Sequence, residues 1–197
     1  MDGIASALRE RPTLRSLSFC NDRINLEEGG ERFLFDNLHF KVTSHFIDSL
    51  VSLKGLTSLV LSFLNISDEL LYSIGREGLP LTRLDLRHCF GHSYAGIFGL
   101  LSKCLALRHL DLQNANFLND HYVDELSLLI GDLVSVNLSQ CWEITYSALF
   151  ALVRNCPSLS EIKMEKIGSK SVENSDSLPD FGVYPQLKSL YLAENSG

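Results

Sequence analysis

The stretch LTRLDLRHC, residues 81–89, contains an apolar pattern that recurs along the chain. Its leucines alternate with polar residues, which is typical of a short β-strand with one face against a core. The frame L-x-x-L-x-L recurs, with conservative substitutions, in six further segments: LRSLSF (14–19), LTSLVL (56–61), LRHLDL (107–112), LVSVNL (133–138), LSEIKM (159–164) and LKSLYL (187–192). The sequence therefore predicts about seven short strands.

The fourth residue of each six-residue frame, which is its second apolar position, is called the anchor. From the second frame onward the anchors are evenly spaced. From Leu59 onward the intervals between anchors are 25, 26, 26, 26 and 28 residues, a period typical of leucine-rich repeats. Apolar residues also recur at helical spacing after the strands: Ile97, Leu100 and Cys104; Val123, Leu126 and Ile130; Leu149, Leu152 and Cys156. We expect an α/β leucine-rich-repeat solenoid, a right-handed horseshoe with a parallel sheet on the concave face and helices on the convex face.

Two further positions repeat within the units. Five residues after the anchor we expect a buried packing position, occupied by Asp22, Leu64, Cys89, Ala115, Cys141, Ile167 and Asn195. Nine residues after the anchor we expect a helix N-cap, because the residues there have short side chains that accept a hydrogen bond from free helical N–H groups: Asp68, Ser93, Asn119, Thr145 and Ser171.

We predict that residues 1–197 form a single leucine-rich-repeat domain with two irregular segments. Leu17 and Leu59 are 42 residues apart, which predicts a rim insertion near residues 21–41. Residues 168–186 lack a helical stripe and are predicted to be irregular. Residues 4–14 align with residues 149–159, and the chain stops just after a strand, so we expect a segment truncated at both ends from a longer array.

Composition excludes several classes of partner. The formal net charge of −7 argues against non-specific binding of nucleic acid or of anionic membranes, because both depend on excess lysine and arginine. The sequence shows no secretory signal and no apolar run that approaches a membrane span. The five cysteines have neither disulfide-framework nor zinc-site spacing, so we expect reduced, buried thiols in an intracellular protein of the cytoplasm, the nucleus or both, without a cofactor.

One motif suggests an enzyme. Residues 91–95, GHSYA, approach the G-x-S-x-G nucleophile elbow of serine hydrolases, with Ser93 as the nucleophile and Ala95 in place of the last glycine. A catalytic triad would need Asp111 and His121, which belong to later, ordinary repeats. Because Ser93 also falls in the N-cap row, we expect it to start a helix, and we expect no catalysis.

The side chains that alternate with the anchors predict a partner-binding surface on the concave face. Since Leu84 and Leu86 should point into the core, the residues between them should point away from it. The candidate residues are Arg83, Asp85, Arg87, His88, His109, Asp111, Gln113, Asn137, Lys163, Glu165 and Tyr191. Arg83 and Arg87 are expected to contribute most to binding. The alternatives are binding of the target at the rim, where the insertion near residues 21–41 lies, and a solvated sheet face with internal ion pairs. His88 and His109 lack a third ligand, so no metal site is predicted.

Units of about 26 residues, together with RLDLRHC (83–89) and SVNLSQCWEITYSALFALVRNCPSLSEI (135–162), resemble the cysteine-containing leucine-rich repeats of plant F-box/LRR proteins. The matching residues are Cys141, Trp142, Ile144, Thr145, Leu149, Leu152, Cys156, Pro157 and Leu159.

The resemblance implies that the repeats hold a protein target for a cullin–RING ubiquitin ligase, while an F-box binds the Skp-type adaptor of that SCF complex. No F-box is recognisable in the sequence, because residues 4–14 already belong to a repeat. We therefore expect this chain to bind a target protein but not the adaptor. The alternative is an intracellular leucine-rich-repeat scaffold unrelated to ubiquitination.

Overall fold

The computed structural model describes residues 2–21, 42–168 and 184–193, and these residues form one parallel sheet with helices between its strands. Within them the sheet has seven strands: β1 (Ser16–Cys20), β2 (Ser58–Ser62), β3 (Arg83–Asp85), β4 (His109–Asp111), β5 (Ser135–Asn137), β6 (Glu161–Glu165) and β7 (Ser189–Ala193). The strands pair in chain order, and each runs parallel to the next. All the anchors face one another in register, as the repeat spacing requires.

The helices of the described ranges precede or follow these strands in regular alternation: α1 (Asp2–Arg9), α2 (Ser44–Val51), α3 (Asp68–Glu77), α4 (Tyr94–Leu101), α5 (Asp120–Ser127) and α6 (Tyr146–Asn155). All nine residues of the predicted helical stripes are buried. The predicted fold is therefore confirmed: the chain is a leucine-rich-repeat solenoid with the sheet on its concave face and the helices on its convex face.

The core consists of the anchors and the helical stripes. Leu59, Leu84, Leu110, Val136 and Ile162 are all buried, and full burial of such a side chain contributes roughly 1.5–3 kcal/mol. The anchors of the two outermost strands, Leu17 and Leu190, are only half-buried, because a described repeat covers each of these strands on one side only.

The packing position five residues after the anchor is buried at Leu64, Cys89, Ala115, Cys141 and Ile167, as predicted; Asp22 and Asn195 lie outside the described residues. Two of the cysteines here also donate hydrogen bonds to the preceding repeat. The Cys89 thiol donates to the Leu61 carbonyl (3.0 Å) and the Cys141 thiol to the Leu112 carbonyl (3.4 Å). Burial raises the pKa of both thiols to about 12, so they are neutral donors.

The prediction of buried, reduced thiols is correct for four cysteines and wrong for one. All five are free of disulfides; Cys89, Cys104, Cys141 and Cys156 are buried, whereas Cys20 is exposed. Cys20 ends strand β1 on the side of the sheet opposite to the core-facing residues, which explains its exposure.

Strands β2 to β6 are each followed by a residue in the left-handed backbone region. Four residues after the anchor, φ lies between 54° and 66° at Phe63, His88, Asn114, Gln140 and Lys166, and such values are uncommon for residues other than glycine. His88 belongs to the turn after β3. Its ring stacks on Phe63, with 4.6 Å between ring centroids and 12° between the planes.

The predicted N-cap positions are confirmed at Ser93, Asn119 and Thr145, and the expected side-chain bond is present at the last two. Asn119 accepts a hydrogen bond from the Tyr122 N–H (2.9 Å), and Thr145 accepts one from the Ser147 N–H (3.1 Å). Helix α3 instead has Ser67 as its N-cap, with Asp68 as the first helical residue. This repeat is 25 residues long instead of 26, so its helix begins one residue earlier. Ser171 lies outside the described residues.

The predicted rim insertion at 21–41 and the irregular segment at 168–186 fall almost entirely on residues 22–41 and 169–183, which lie outside the described ranges. Residues 4–14, predicted to be part of a repeat, include most of helix α1. Among the helices of the described part of the chain, none is both long and apolar enough to cross a membrane.

Candidate partner-binding site

Strands β3 to β6 line a shallow polar groove of about 380 Å³ on the concave face. Eight of the eleven predicted binding residues line it: Arg83, Arg87, His109, Asp111, Gln113, Asn137, Lys163 and Glu165. Tyr191 lies beside the groove on β7, with the Lys163 Nζ 5.0 Å from the centroid of its ring. Asp85 and His88 do not line it: the first is covered, and the second stacks on Phe63.

Three polar lining residues were not among the predicted ones, namely Ser135, Ser139 and Glu161, and the anchors Leu84, Leu110 and Val136 also border the groove. Ser135 pairs in register with His109, which pairs with Arg83, and Glu161 pairs with Ser135. They occupy the strand position just before the anchor, so the same alternation that selected Arg83 and His109 could have found them. His109 Nδ1 lies 2.8 Å from the Ser135 hydroxyl oxygen, which ties these two positions together.

Asp85 forms the buried centre of an ion-pair cluster. Its side chain is 1% exposed, while those of Arg83 and Arg87 are 47% and 40% exposed. The Arg87 Nε donates to both carboxylate oxygens (2.9 and 3.1 Å), and its Nη2 also contacts Oδ2. The carboxylate therefore lies on the concave side, as the alternation predicts, but beneath the guanidinium group. It positions Arg87 and is not itself accessible to a partner.

In three successive repeats, the residue after the anchor closes a small turn at the strand end. Asp85 Oδ1 accepts from the Arg87 N–H (3.2 Å). In the next two repeats, Asp111 Oδ1 accepts from the Gln113 N–H and Asn137 Oδ1 from the Ser139 N–H, both at 3.0 Å. A short side chain with an acceptor oxygen can make this local bond to the backbone. Asp85, Asp111 and Asn137 therefore shape the groove.

A second set of bonds connects these turns across the strands. The Asn137 amide donates to Asp111 Oδ2 (3.0 Å), and the Arg87 Nη2 is 3.7 Å from the same oxygen. Burial raises the pKa of Asp111, while the hydrogen bonds from the Gln113 N–H and the Asn137 amide act in the opposite direction. The floor of the groove is thus a continuous polar network over three strands, with the arginine side chains above it.

Ser93 occupies the N-cap position of α4, but its hydroxyl makes no bond to that helix. It donates to Asp68 Oδ2 of the preceding repeat (2.7 Å), and the Ser93 N–H donates to Asp68 Oδ1 (2.8 Å). The predicted capping bond is therefore wrong for Ser93. The bond to the preceding repeat does not by itself prevent capping, because the Thr145 hydroxyl makes both bonds. Thr145 and Asp120 repeat this arrangement with two bonds of 2.7 Å.

The other members of the hypothetical triad have partners elsewhere. Asp111 belongs to the groove floor, and His121 is an exposed residue of α5 that lies 3.4 Å from Glu125. A nucleophilic serine needs a base within hydrogen-bond reach. The Ser93 hydroxyl instead donates a hydrogen bond to a carboxylate of the preceding repeat. This bond indicates that Ser93 connects two repeats.

We expect Ser93→Ala to lower the free energy of unfolding by about 1 kcal/mol, because one hydrogen bond to a partly exposed carboxylate is lost while the backbone N–H bond remains. Urea denaturation followed by circular dichroism would measure the change. Ser93→Thr, which copies Thr145, is the matched control and should stay within about 0.5 kcal/mol of the parent. Covalent labelling of Ser93 by a fluorophosphonate probe would contradict the structural role.

His92 lies at the start of the α4 repeat, where its ring packs edge-on against Phe117 with 5.1 Å between centroids. Burial lowers the pKa of His92, with Asp68 acting in the opposite direction. The folded state therefore prefers the neutral ring, and this preference is fully present above the unfolded pKa, near 6.5. Its contribution to stability is lost as the pH falls through the folded-state pKa.

We expect the domain to become less stable between pH 7 and pH 5, and His92→Gln to reduce this dependence. Urea midpoints measured at several pH values on both proteins would test this, because their difference isolates His92 from other titrating groups. Burial also lowers the pKa of His88, so part of the dependence should remain in the variant. Parallel pH profiles of the two proteins would contradict the expectation.

No protein-family model matches the chain. The chain is similar to the F-box protein SKIP1 of Arabidopsis thaliana, with 29% identity over 111 residues. The match covers 52% of this chain and 35% of that protein, so the chain spans about a third of the length of this relative.

Two solved structures share the fold. The tropomodulin C-terminal domain of Caenorhabditis elegans is 16% identical with a TM-score of 0.55, covering 80% of this chain and 91% of that one. The Leiomodin-1 Actin-Binding Site 2 is 13% identical with a TM-score of 0.56, covering 80% and 87%. At these identities the likeness shows the fold alone. The leucine-rich-repeat fold and the similarity to an F-box protein together support the interpretation of this chain as a protein-interaction repeat domain.

Proposed function

We propose that this chain is the target-recognition repeat region of an F-box/LRR subunit of a cullin–RING ubiquitin ligase. The observation that carries the proposal is the similarity to an F-box protein over 111 residues. In this proposal a target protein binds the concave groove, and the Skp-type adaptor is bound by an F-box outside residues 1–197. The free, buried thiols support an intracellular location.

The groove has the features of a surface that binds a protein. Two arginines are presented at one end, and hydrogen bonds to Asp85 hold Arg87 in one orientation. Arginine side chains fixed in this way often dominate an interface, because little conformational entropy is lost when a partner binds. The groove is shallow and polar, which suits a protein surface better than a small apolar ligand.

The proposal is tested by expressing the longer product of the gene that contains this chain and purifying it from cells together with its partners. We expect it to co-purify with a Skp-type adaptor, and to retain a target protein more strongly when the proteasome is inhibited. Ser135→Trp, in the middle of the groove, should release the target but leave the adaptor bound.

Two results would contradict the proposal. A longer product that binds no Skp-type adaptor, while still binding a partner through the groove, would favour the scaffold unrelated to ubiquitination. Release of the adaptor but not of the target by Ser135→Trp would place target binding elsewhere on the molecule.

A further inference from the structure

The accessible charge of the groove differs between its two ends. Strand β3, Arg87 just after it, and strand β4 together carry two arginines and two aspartates, so their formal charges balance. The aspartates are covered, however, with side chains 1% and 15% exposed, whereas the arginines are 47% and 40% exposed. A partner that reaches this end therefore meets guanidinium groups.

Arg83 has donors to offer to a partner. Its Nη2 lies 3.8 Å from Asp85 Oδ2, which is too far for a hydrogen bond. The same carboxylate already receives hydrogen bonds from Arg87. A guanidinium group binds a carboxylate through two parallel N–H bonds, so the complementary group is an acidic side chain.

The other end, on β6, carries an excess of acidic groups. Glu161, Lys163 and Glu165 all line the groove. The Lys163 Nζ is 3.2 Å from Glu161 Oε1 and also lies over the Tyr191 ring. Glu165 is exposed, and its carboxylate forms no ion pair within residues 2–21, 42–168 and 184–193. One lysine therefore faces two glutamates, and the complementary group is a basic side chain.

The residues between the two ends are uncharged or covered. Ser135, Asn137 and Ser139 form the β5 part of the lining. Strands β3 and β6 are three positions apart in the sheet, which corresponds to about 14 Å at roughly 4.8 Å per strand. An extended peptide advances about 3.3–3.6 Å per residue. Side chains about four residues apart can therefore reach both ends.

We infer, on the basis of the proposed function, that the groove binds an extended segment of the target protein that crosses the strands. This segment carries an acidic side chain over Arg83 and a basic side chain, about four residues away, over Glu161 and Glu165. The uncharged strand β5 accommodates the residues between them. The recognition element is thus a pair of opposite charges at a fixed spacing.

The test begins with a displayed library of random peptides, selected for binding to the 197-residue chain. We expect the enriched peptides to pair Asp or Glu with Lys or Arg at a spacing of three to five residues. Both chain directions should be found, because the spacing and not the order matches the groove. Peptides without such a pair, or a selection that yields no binder, would overturn the inference.

Charge exchange then tests the contacts directly. Arg83→Glu should weaken an enriched peptide about tenfold, and changing the acidic residue of that peptide to lysine should restore most of the affinity. Glu161→Lys should behave in the same way towards a peptide whose basic residue becomes glutamate. Arg108→Glu, an exposed arginine outside the groove lining, is the matched control and should leave the affinity unchanged. Absence of rescue in both exchanges would overturn the inference.

The Ser135→Trp variant distinguishes two negative results, namely an incorrect charge pattern and an incorrect binding surface. Binding that is lost in Ser135→Trp but shows no paired charges would leave the groove as the binding surface and reject only the charge pattern. Binding that survives Ser135→Trp would reject the groove itself, on which the proposed function depends. Gln113→Trp provides a second steric block if the first variant does not fold, as judged by its circular dichroism spectrum.

Discussion

Replacing Asp85 by alanine is expected to lower the free energy of unfolding by about 2–3 kcal/mol, because a covered carboxylate with several charge-assisted hydrogen bonds is lost. The Arg87 N–H loses its acceptor, and the guanidinium group loses the partner that fixes its orientation. Arg87 is partly exposed, so water can solvate the freed charge, and the cost stays below that of a fully buried ion pair. Urea denaturation would measure the loss.

Asp85→Asn is the matched control for this prediction. It keeps an acceptor oxygen for the Arg87 N–H, as Asn137 does for Ser139 in a neighbouring repeat, but it removes the negative charge. We expect it to cost less than half as much as Asp85→Ala. An alanine variant within about 0.5 kcal/mol of the parent would show that the buried cluster contributes little to stability.

Gly91→Ala is expected to cost about 3 kcal/mol, since it combines a disfavoured backbone conformation with a steric clash. Gly91 has φ of 86°, and an added Cβ would clash with Asn65 Oδ1 and would lie 2.7 Å from the Ile66 carbonyl oxygen. The asparagine side chain can move, but the carbonyl belongs to a backbone that is hydrogen-bonded to Phe90 of the same turn. Thermal and urea unfolding would both report the loss.

Gly78→Ala separates the two contributions. Gly78 has φ of 62°, and within the described ranges no heavy atom other than those of its chain neighbours lies within 4 Å of an added Cβ. Its substitution therefore introduces only the backbone strain, about 1–2 kcal/mol. If Gly91→Ala costs no more than Gly78→Ala, the close packing between the two turns does not stabilise the array.

The repeat pattern predicts the strands and the core because apolar and polar residues alternate within each six-residue frame. Each anchor needs only its neighbours in the frame to select a strand face, and identical spacing then places the anchors in register. The N-cap of α3 was misplaced because the repeat that contains it is one residue shorter, and a fixed offset from the anchor cannot follow that change.

The errors at the site arise from contacts between repeats and from turn geometry. Alternation places Asp85 on the concave side but does not show that Arg87 covers it. The Ser93 hydroxyl is taken by Asp68, 25 residues earlier, which no local pattern reveals. His88 lies in a left-handed turn and stacks on Phe63, and no glycine or asparagine at this position marks the turn in the sequence. Predicting these three residues correctly would have required the burial of Asp85, the inter-repeat partner of Ser93 and the backbone conformation of His88.

The groove between β3 and β6 is proposed as the surface that binds the target protein. Photo-crosslinking in cells tests this, with a benzophenone amino acid placed at Tyr191 beside the groove or, as the control, at the equally exposed Tyr72 on the convex helix α3. The groove interpretation predicts a protein adduct at position 191 that disappears in the Ser135→Trp background, and no such adduct at position 72. An adduct at position 72 with none at position 191 would contradict it.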